Sequence, residues 1–201
     1  MIAIEHHIPG QADDLRQFSD EDCIAFLKAG NSSAFPELMR RYQNRIYTYV
    51  LRMISCPDDA MDICQTTFIS AYRNLEKWQP NALFRTWLFR IASNSAIDYL
   101  RRNKLYTQVP IESLNHTLID AMDPERQYMS SARCTTMIKL IQQIPPVFRQ
   151  ALLLRELEGM SYADIAQALD ISEGTVKSRI ARARYGLVSG LDQIDDVESN
   201  Q

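Results

Sequence analysis

This chain of 201 residues has little with which to do covalent chemistry. It holds three histidines, two of them the neighbours His6 and His7, and no catalytic triad, metal-ligand spacing or glycine-rich phosphate loop. An enzyme is therefore the remote reading, and no cofactor or metal is expected. The four cysteines, Cys23, Cys56, Cys64 and Cys134, show no CxxC and no Cys/His pairing. Cys64 falls on an apolar helical stripe, the position of a small buried thiol rather than a ligand. Six glycines and eight prolines are too few for a β-rich or low-complexity chain. No run is apolar over the length a bilayer requires, and the N-terminus lacks the basic start and apolar core of a signal peptide. The expectation is a reduced, cytoplasmic protein without membrane insertion. Positive charge is not in excess either, since 22 Lys and Arg stand against 25 Asp and Glu for a formal net charge of −3.

The charge is segregated, however. Arg85, Arg90, Arg101, Arg102 and Lys104 cluster with only Asp98 opposing them, and a second basic cluster lies near the C-terminus. Acids gather at Asp13-Asp14, Asp20-Glu21-Asp22, Asp58-Asp59-Asp62 and from Asp192 to Glu198. Two basic patches on an acidic body suit focused contact with nucleic acid, together with a protein partner that accepts an acidic surface. They also imply weak DNA binding by the isolated chain, because phosphate affinity depends on local cations.

The second basic cluster has a readable frame. Gly159 is a helix stop, and Ser161 follows as an N-cap with Asp164 three residues on. Ile165, Ala166 and Leu169 supply an apolar face, and Asp170-Ile171-Ser172 is a turn from which Ser172 can cap the next helix. Asp170 stands where many such turns use Gly, but Asp tolerates the left-handed conformation better than most residues. The next helix buries Val176 and Ile180 and projects Lys177, Ser178, Arg179, Arg182 and Arg184 elsewhere. This is the layout of a helix-turn-helix whose second helix enters a major groove. A plain helical hairpin with solvated arginines fits the same residues.

Along the rest of the chain the apolar period is helical throughout and no strand-like alternation occurs, so the fold class is all-α: two small helical domains joined by a flexible linker, the second ending in the helix-turn-helix. Residues 1–18 read as a loose extension and 19–103 as the first domain. Within it, helices run over about 20–29, from Phe35 to Met53, from Pro57 to about Leu75, and from Phe84 to Arg102. Ala60, Ile63, Cys64, Thr67, Phe68, Ala71, Tyr72 and Leu75 form one stripe. Residues 104–127 are the linker, 128–191 the second domain with its last helix ending near Leu191, and 192–201 an acidic tail. No heptad seam or dimer helix is evident, so the free chain is expected to be a monomer.

On the helix from Phe84 to Arg102, a wheel places Phe84, Leu88, Ile91, Ala92, Ser95 and Tyr99 together as core. Trp87, Arg90, Asn94 and Arg101 share another stripe. Arginines suit phosphates, Trp offers a stacking plane and Asn can read a base edge. The preceding loop, with Trp78, Asn81 and Phe84, could hold an unstacked base.

With Phe35-Pro36-Glu37-Leu38, Asp58-Asp59-Ala60-Met61-Asp62-Ile63-Cys64-Gln65, Phe84-Arg85-Thr86-Trp87-Leu88-Phe89-Arg90, Leu153-Leu154-Arg155-Glu156 and Gly174-Thr175-Val176-Lys177-Ser178-Arg179 in this order, the chain resembles the extracytoplasmic-function (ECF) sigma factors, group IV of the primary-sigma-like family. The likeness spans about Ser19 to Leu191. It implies a factor that binds bacterial core RNA polymerase, directs it to promoters and promotes DNA melting. Asp58, Asp59, Asp62 and Gln65 would dock on the β′ clamp helices, and the second domain would rest on the β flap. Trp78, Asn81, Phe84, Trp87, Arg90, Asn94 and Arg101 would bind the melted −10 element. Ser172, Thr175, Lys177, Ser178, Arg179, Arg182 and Arg184 would face the −35 duplex, where Ala181 leaves base preference unread. An anti-sigma protein is the usual further partner in this family. The rival reading is an autonomous helix-turn-helix regulator, which would need a dimer surface and a palindromic operator.

Overall fold

A computed structural model of the chain describes residues 14–80, 82–103 and 135–198. The fold is all-helical, with no strand among the described residues. The first domain comprises α1 (Asp20–Lys28), α2 (Ala34–Ile54), α3 (Pro57–Arg73) and α4 (Phe84–Arg102). The second comprises α5 (135–143), α6 (Pro146–Glu156), α7 (Tyr162–Leu169) and α8 (Glu173–Glu198). The expected linker, 104–127, falls wholly outside the described residues, as do Cys134 and the expected start of the second domain at residue 128. No helix among them is long and apolar enough to cross a membrane.

Local chemistry fixes most of these ends. Ser19 accepts from the Asp22 amide and Asp22 returns the bond to the Ser19 amide, closing a capping box on α1. Pro57 and Pro146 occupy first-turn positions, where the missing N–H is no loss. Ser55 ends α2 in the left-handed region at φ 63°, which turns the chain into α3 within two residues. The first core is built from Ile46, Tyr49, Val50 and Met53 of α2, Ala60, Cys64 and Phe68 of α3, and Leu88, Phe89, Ala92 and Ala96 of α4. A buried hydrogen bond of 2.7 Å between the Tyr49 and Ser93 hydroxyls satisfies both polar groups inside it.

Three features differ from the sequence expectation. The extension is not loose to residue 18, because Leu15 is 0% exposed and Arg41 donates to the Leu15, Arg16 and Phe18 carbonyls. The buried face of α4 includes Phe89, Ser93 and Ala96, while Ile91, Ser95 and Tyr99 are only half-buried, because Phe89 and Ser93 turn onto Tyr49 of α2. The last helix continues past Leu191 to Glu198.

The domains pack on one another, α7 against α4 and α6 against α2 and α4, so their cores form one continuous cluster. Arg149 anchors this junction. It is 4% exposed and donates to the carbonyls of Gln142, Ile144 and, across the interface, Met53. Gln142 reaches the Arg52 carbonyl at 2.6 Å. The last carbonyls of a helix lack intrahelical partners, so the second domain supplies a C-cap to α2. Burial pulls the Arg149 guanidinium down to about 10, which still leaves it charged at neutral pH.

Candidate nucleic-acid interface

In the helix-turn-helix, every local expectation of capping is met. Ser161 accepts from the Asp164 amide at 3.1 Å, and Asp164 closes the box on the Ser161 hydroxyl and amide. Gly159 takes φ +61° and lets Met160 bond back to the Leu154 carbonyl. Asp170 adopts φ 56°, ψ 49°, and Ile171 bonds to the Ala166 carbonyl across the turn. The Ser172 hydroxyl accepts from the Thr175 amide at 3.2 Å. Val176, Ile180 and Ala183 of α8 are buried against Ile165 and Ala166. That burial turns Ser172, Lys177, Ser178, Ala181 and Arg182 outward, with Thr175 and Arg179 half-exposed beside them.

These cations are not all free. Arg184 pairs with Glu156 at 2.7 Å and so braces α8 on α6. The Arg182 guanidinium lies 5.5 Å from the Phe148 ring, and Lys177 lies 6.0 Å from that of Tyr162. Exposed contacts of this kind are worth about 1 kcal/mol or less, so a phosphate can displace them.

On the first domain, α4 and the loop before it border a pocket of about 210 Å³ lined by Lys77, Trp78, Gln79, Ala82, Thr86, Trp87, Arg90 and, from α7, Gln167. The Trp78 indole nitrogen and the Thr86 hydroxyl are both buried without a hydrogen-bond partner. Unsatisfied buried donors beside an aromatic hollow suit a flat, polar-edged ligand. Lys28 holds the loop from behind by donating to the Trp78 carbonyl at 3.2 Å.

Some expected −10 residues are placed otherwise. Phe84 is 1% exposed, edge-on to Tyr42 at 5.8 Å and tilted against Trp87 at the same distance, so it supports the loop and offers no face to a base. Trp78 is 6% exposed and Lys28 lies over its ring at 5.7 Å, which leaves little of it for a stacked base. Trp87 is half-buried, while Arg90, Asn94 and Arg101 are exposed. Arg101 pairs with Asp98 at 2.9 Å, and Arg90 lies 3.4 Å from Asp170 of the turn in the second domain. Asn81 lies outside the described residues.

On α3, Asp58, Asp62 and Gln65 are exposed. Asp59 is half-buried and accepts from the Tyr99 hydroxyl at 2.6 Å; bonds from Cys56 and then Tyr99 hold its carboxyl below the usual range. Sequence reasoning missed the apolar part of this surface. Met61, Ile69 and Tyr72 are 46%, 51% and 52% exposed, although the helical stripe puts Tyr72 in the core. The signal was the spacing 61, 65, 69, 72, which places them on one line of the helix beside the acids. Clustered exposed apolar side chains rimmed by polar ones mark a docking face.

Comparison with known proteins assigns a family to each domain. The Sigma-70 region 2 family matches residues 38–106, and the Sigma-70, region 4 family matches residues 135–186. The RNA polymerase sigma-H factor of Pseudomonas aeruginosa is 36% identical over 188 residues, 90% of this chain and 97% of that one. The ECF RNA polymerase sigma-E factor of Haemophilus influenzae is 37% identical over 176 residues, covering 84% and 93%. Among solved structures, CnrH in complex with the cytosolic domain of CnrY superposes with a TM-score of 0.67 at 26% identity, covering 87% of this chain and 97% of that one.

Proposed function

Since the chain belongs to the extracytoplasmic-function sigma factors of the sigma-70 family, transcription initiation factors that direct RNA polymerase, we propose which of its surfaces does which part of that work. The acidic and apolar line of α3, Asp58, Met61, Asp62, Gln65, Ile69 and Tyr72, docks on the clamp helices of the β′ subunit, and the second domain rests on the β flap. Asp59 supports that face from within through Tyr99. The outward side of α8, Lys177, Ser178, Arg179 and Arg182 with Ser172 and Thr175 at its start, reads the −35 duplex in the major groove. Arg184 contributes a phosphate contact once released from Glu156.

The pocket between Trp78 and Trp87 receives a base flipped from the melted −10 element, with Asn94, Arg90 and Arg101 along the strand that leads to it. The observation that carries this assignment is the pair of unsatisfied buried donors, the Trp78 indole and the Thr86 hydroxyl, in the residues that line a pocket with two indoles beside the basic helix. The protein acts by binding and positioning, with no bond broken by its own groups, and works where polymerase works, in the cytoplasm. An anti-sigma protein holding the same surfaces is the natural off-state, in keeping with a CnrH structure bound to a second protein.

Gel filtration with bacterial core polymerase, followed by transcription of fragmented genomic DNA, tests the scheme. Co-elution and discrete transcripts that share a two-part upstream motif are expected. Tight duplex binding by a dimer that ignores polymerase would point to the autonomous regulator instead.

A further inference from the structure

The junction between the domains pairs opposite charges where apolar packing alone would serve. The Glu158 side chain, in the bend between α6 and α7, is 4% exposed and accepts from both Nε and Nη2 of Arg45 on α2, at 2.9 and 2.6 Å. The Glu158 carbonyl faces Nη1 of Arg85 at 3.5 Å, and Nε of Arg85 is buried with no partner. Arg90 lies 3.4 Å from Asp170, but with both groups largely in water that pair adds little, and of the two carboxylates Glu158 makes the stronger contact. Burying a carboxylate is unfavourable unless its pairing compensates, and such pairs are best attested as specificity or switching devices.

Arg45 is joined to the base pocket by a row of packed rings. Its guanidinium lies over Tyr42 at 5.2 Å, Tyr42 meets Phe84 edge-on at 5.8 Å, and Phe84 tilts against Trp87 at 5.8 Å. A guanidinium that takes a carboxylate also takes a phosphate, by the same charge-assisted geometry. The geometry points to Arg45, Arg85 and Arg90 as a backbone-phosphate track for the unpaired strand, occupied in the free chain by Glu158 and Asp170 of the second domain. The inference rests on the reading of the first domain as the single-strand binder. In this closed arrangement α7 also walls the pocket through Gln167, so the strand seats only after the second domain leaves. The chain between residues 103 and 135 is long enough to let the domains part.

The test uses the full chain with Glu158→Gln and Asp170→Asn together, which remove both charges at constant size; asparagine tolerates the left-handed backbone at position 170. Solution scattering should show a larger radius of gyration. Affinity for a fluorescein-labelled, mixed-sequence single-stranded DNA should rise about tenfold, as expected when the open form of the wild type is about a tenth of the population. Adding Arg45→Gln to that pair should reduce the salt slope of strand binding by about 0.7, the loss of one phosphate contact. Unchanged affinity in the double variant, or a slope unmoved by Arg45→Gln, overturns the proposal, and normal promoter-directed transcription by the wild type with core polymerase then leaves the sigma reading standing. A wild type that directs no such transcription overturns both.

Discussion

The two basic helices make an instructive pair. On α8 the outward cations are positioned by groups of their own domain: two capping bonds, a left-handed turn residue and three buried apolar side chains. On α4 the corresponding face is shared. Its pocket has a wall from α7, Arg90 meets Asp170, and Arg85 lies against the Glu158 carbonyl. A duplex-reading surface can stand ready because B-form DNA presents itself complete. A surface for a strand that exists only after melting gains from being covered until polymerase is present, since an open track of guanidiniums would bind nucleic acid without selection.

Breaking the self-contained side requires its core. Ile180→Ala, at a side chain 2% exposed, should cost about 3 kcal/mol and remove −35 recognition, read as a lower denaturant midpoint and lost duplex binding. On the shared side, Arg149→Met strips the cap from α2 and leaves buried carbonyls unpaired. About 2 kcal/mol of stability should be lost, and the radius of gyration should increase. A variant as compact and stable as the wild type would mean that the junction does not depend on this residue.

Smaller changes separate the two reading tasks. Lys177→Ala should weaken binding to a cognate −35 duplex by about 1–3 kcal/mol without altering single-strand affinity. Asn94→Ala should do the converse, slowing open-complex formation more than initial promoter binding, with permanganate reactivity at the −10 element as the readout. Arg184→Ala, whose exposed bond to Glu156 only braces α8, should change stability by about 0.5 kcal/mol or less.

A pH window distinguishes the first domain. Bonds from Arg40 and Arg41 hold the Glu37 carboxyl at about 2, down from its usual 4.5. A carboxyl lowered by folding stabilises above its unfolded pKa, so this contribution is complete above about pH 4.5 and fades as pH falls toward 2. Thermal melts across that range should show an acid limb that flattens in Glu37→Gln.

Most of the second domain could be read from the chain because its signals are local. Ser161 with Asp164, Asp170 at the turn and Ser172 with Thr175 interact over three or four residues, and such spacings survive translation into geometry. The bounds of α4 were equally legible. Burial was not. Phe84 and Trp78 carry the same aromatic signal as Trp87, yet the first is core, the second is buried at the pocket wall, and the third is half-buried beside it. Tyr72 sits on a stripe with Phe68 and Ala71 but is exposed, its ring meeting Phe35 edge-on at 4.8 Å.

The sequence by itself determined the helices, their caps, the helix-turn-helix and the separation of acid from base, since each depends on neighbours within about a turn. Only the tertiary structure decided which cations face solvent and which face a carboxylate of the other domain. Arg45 and Glu158 stand 113 residues apart. No periodicity encodes that meeting; the packing of α6 and α7 on α2 and α4 creates it.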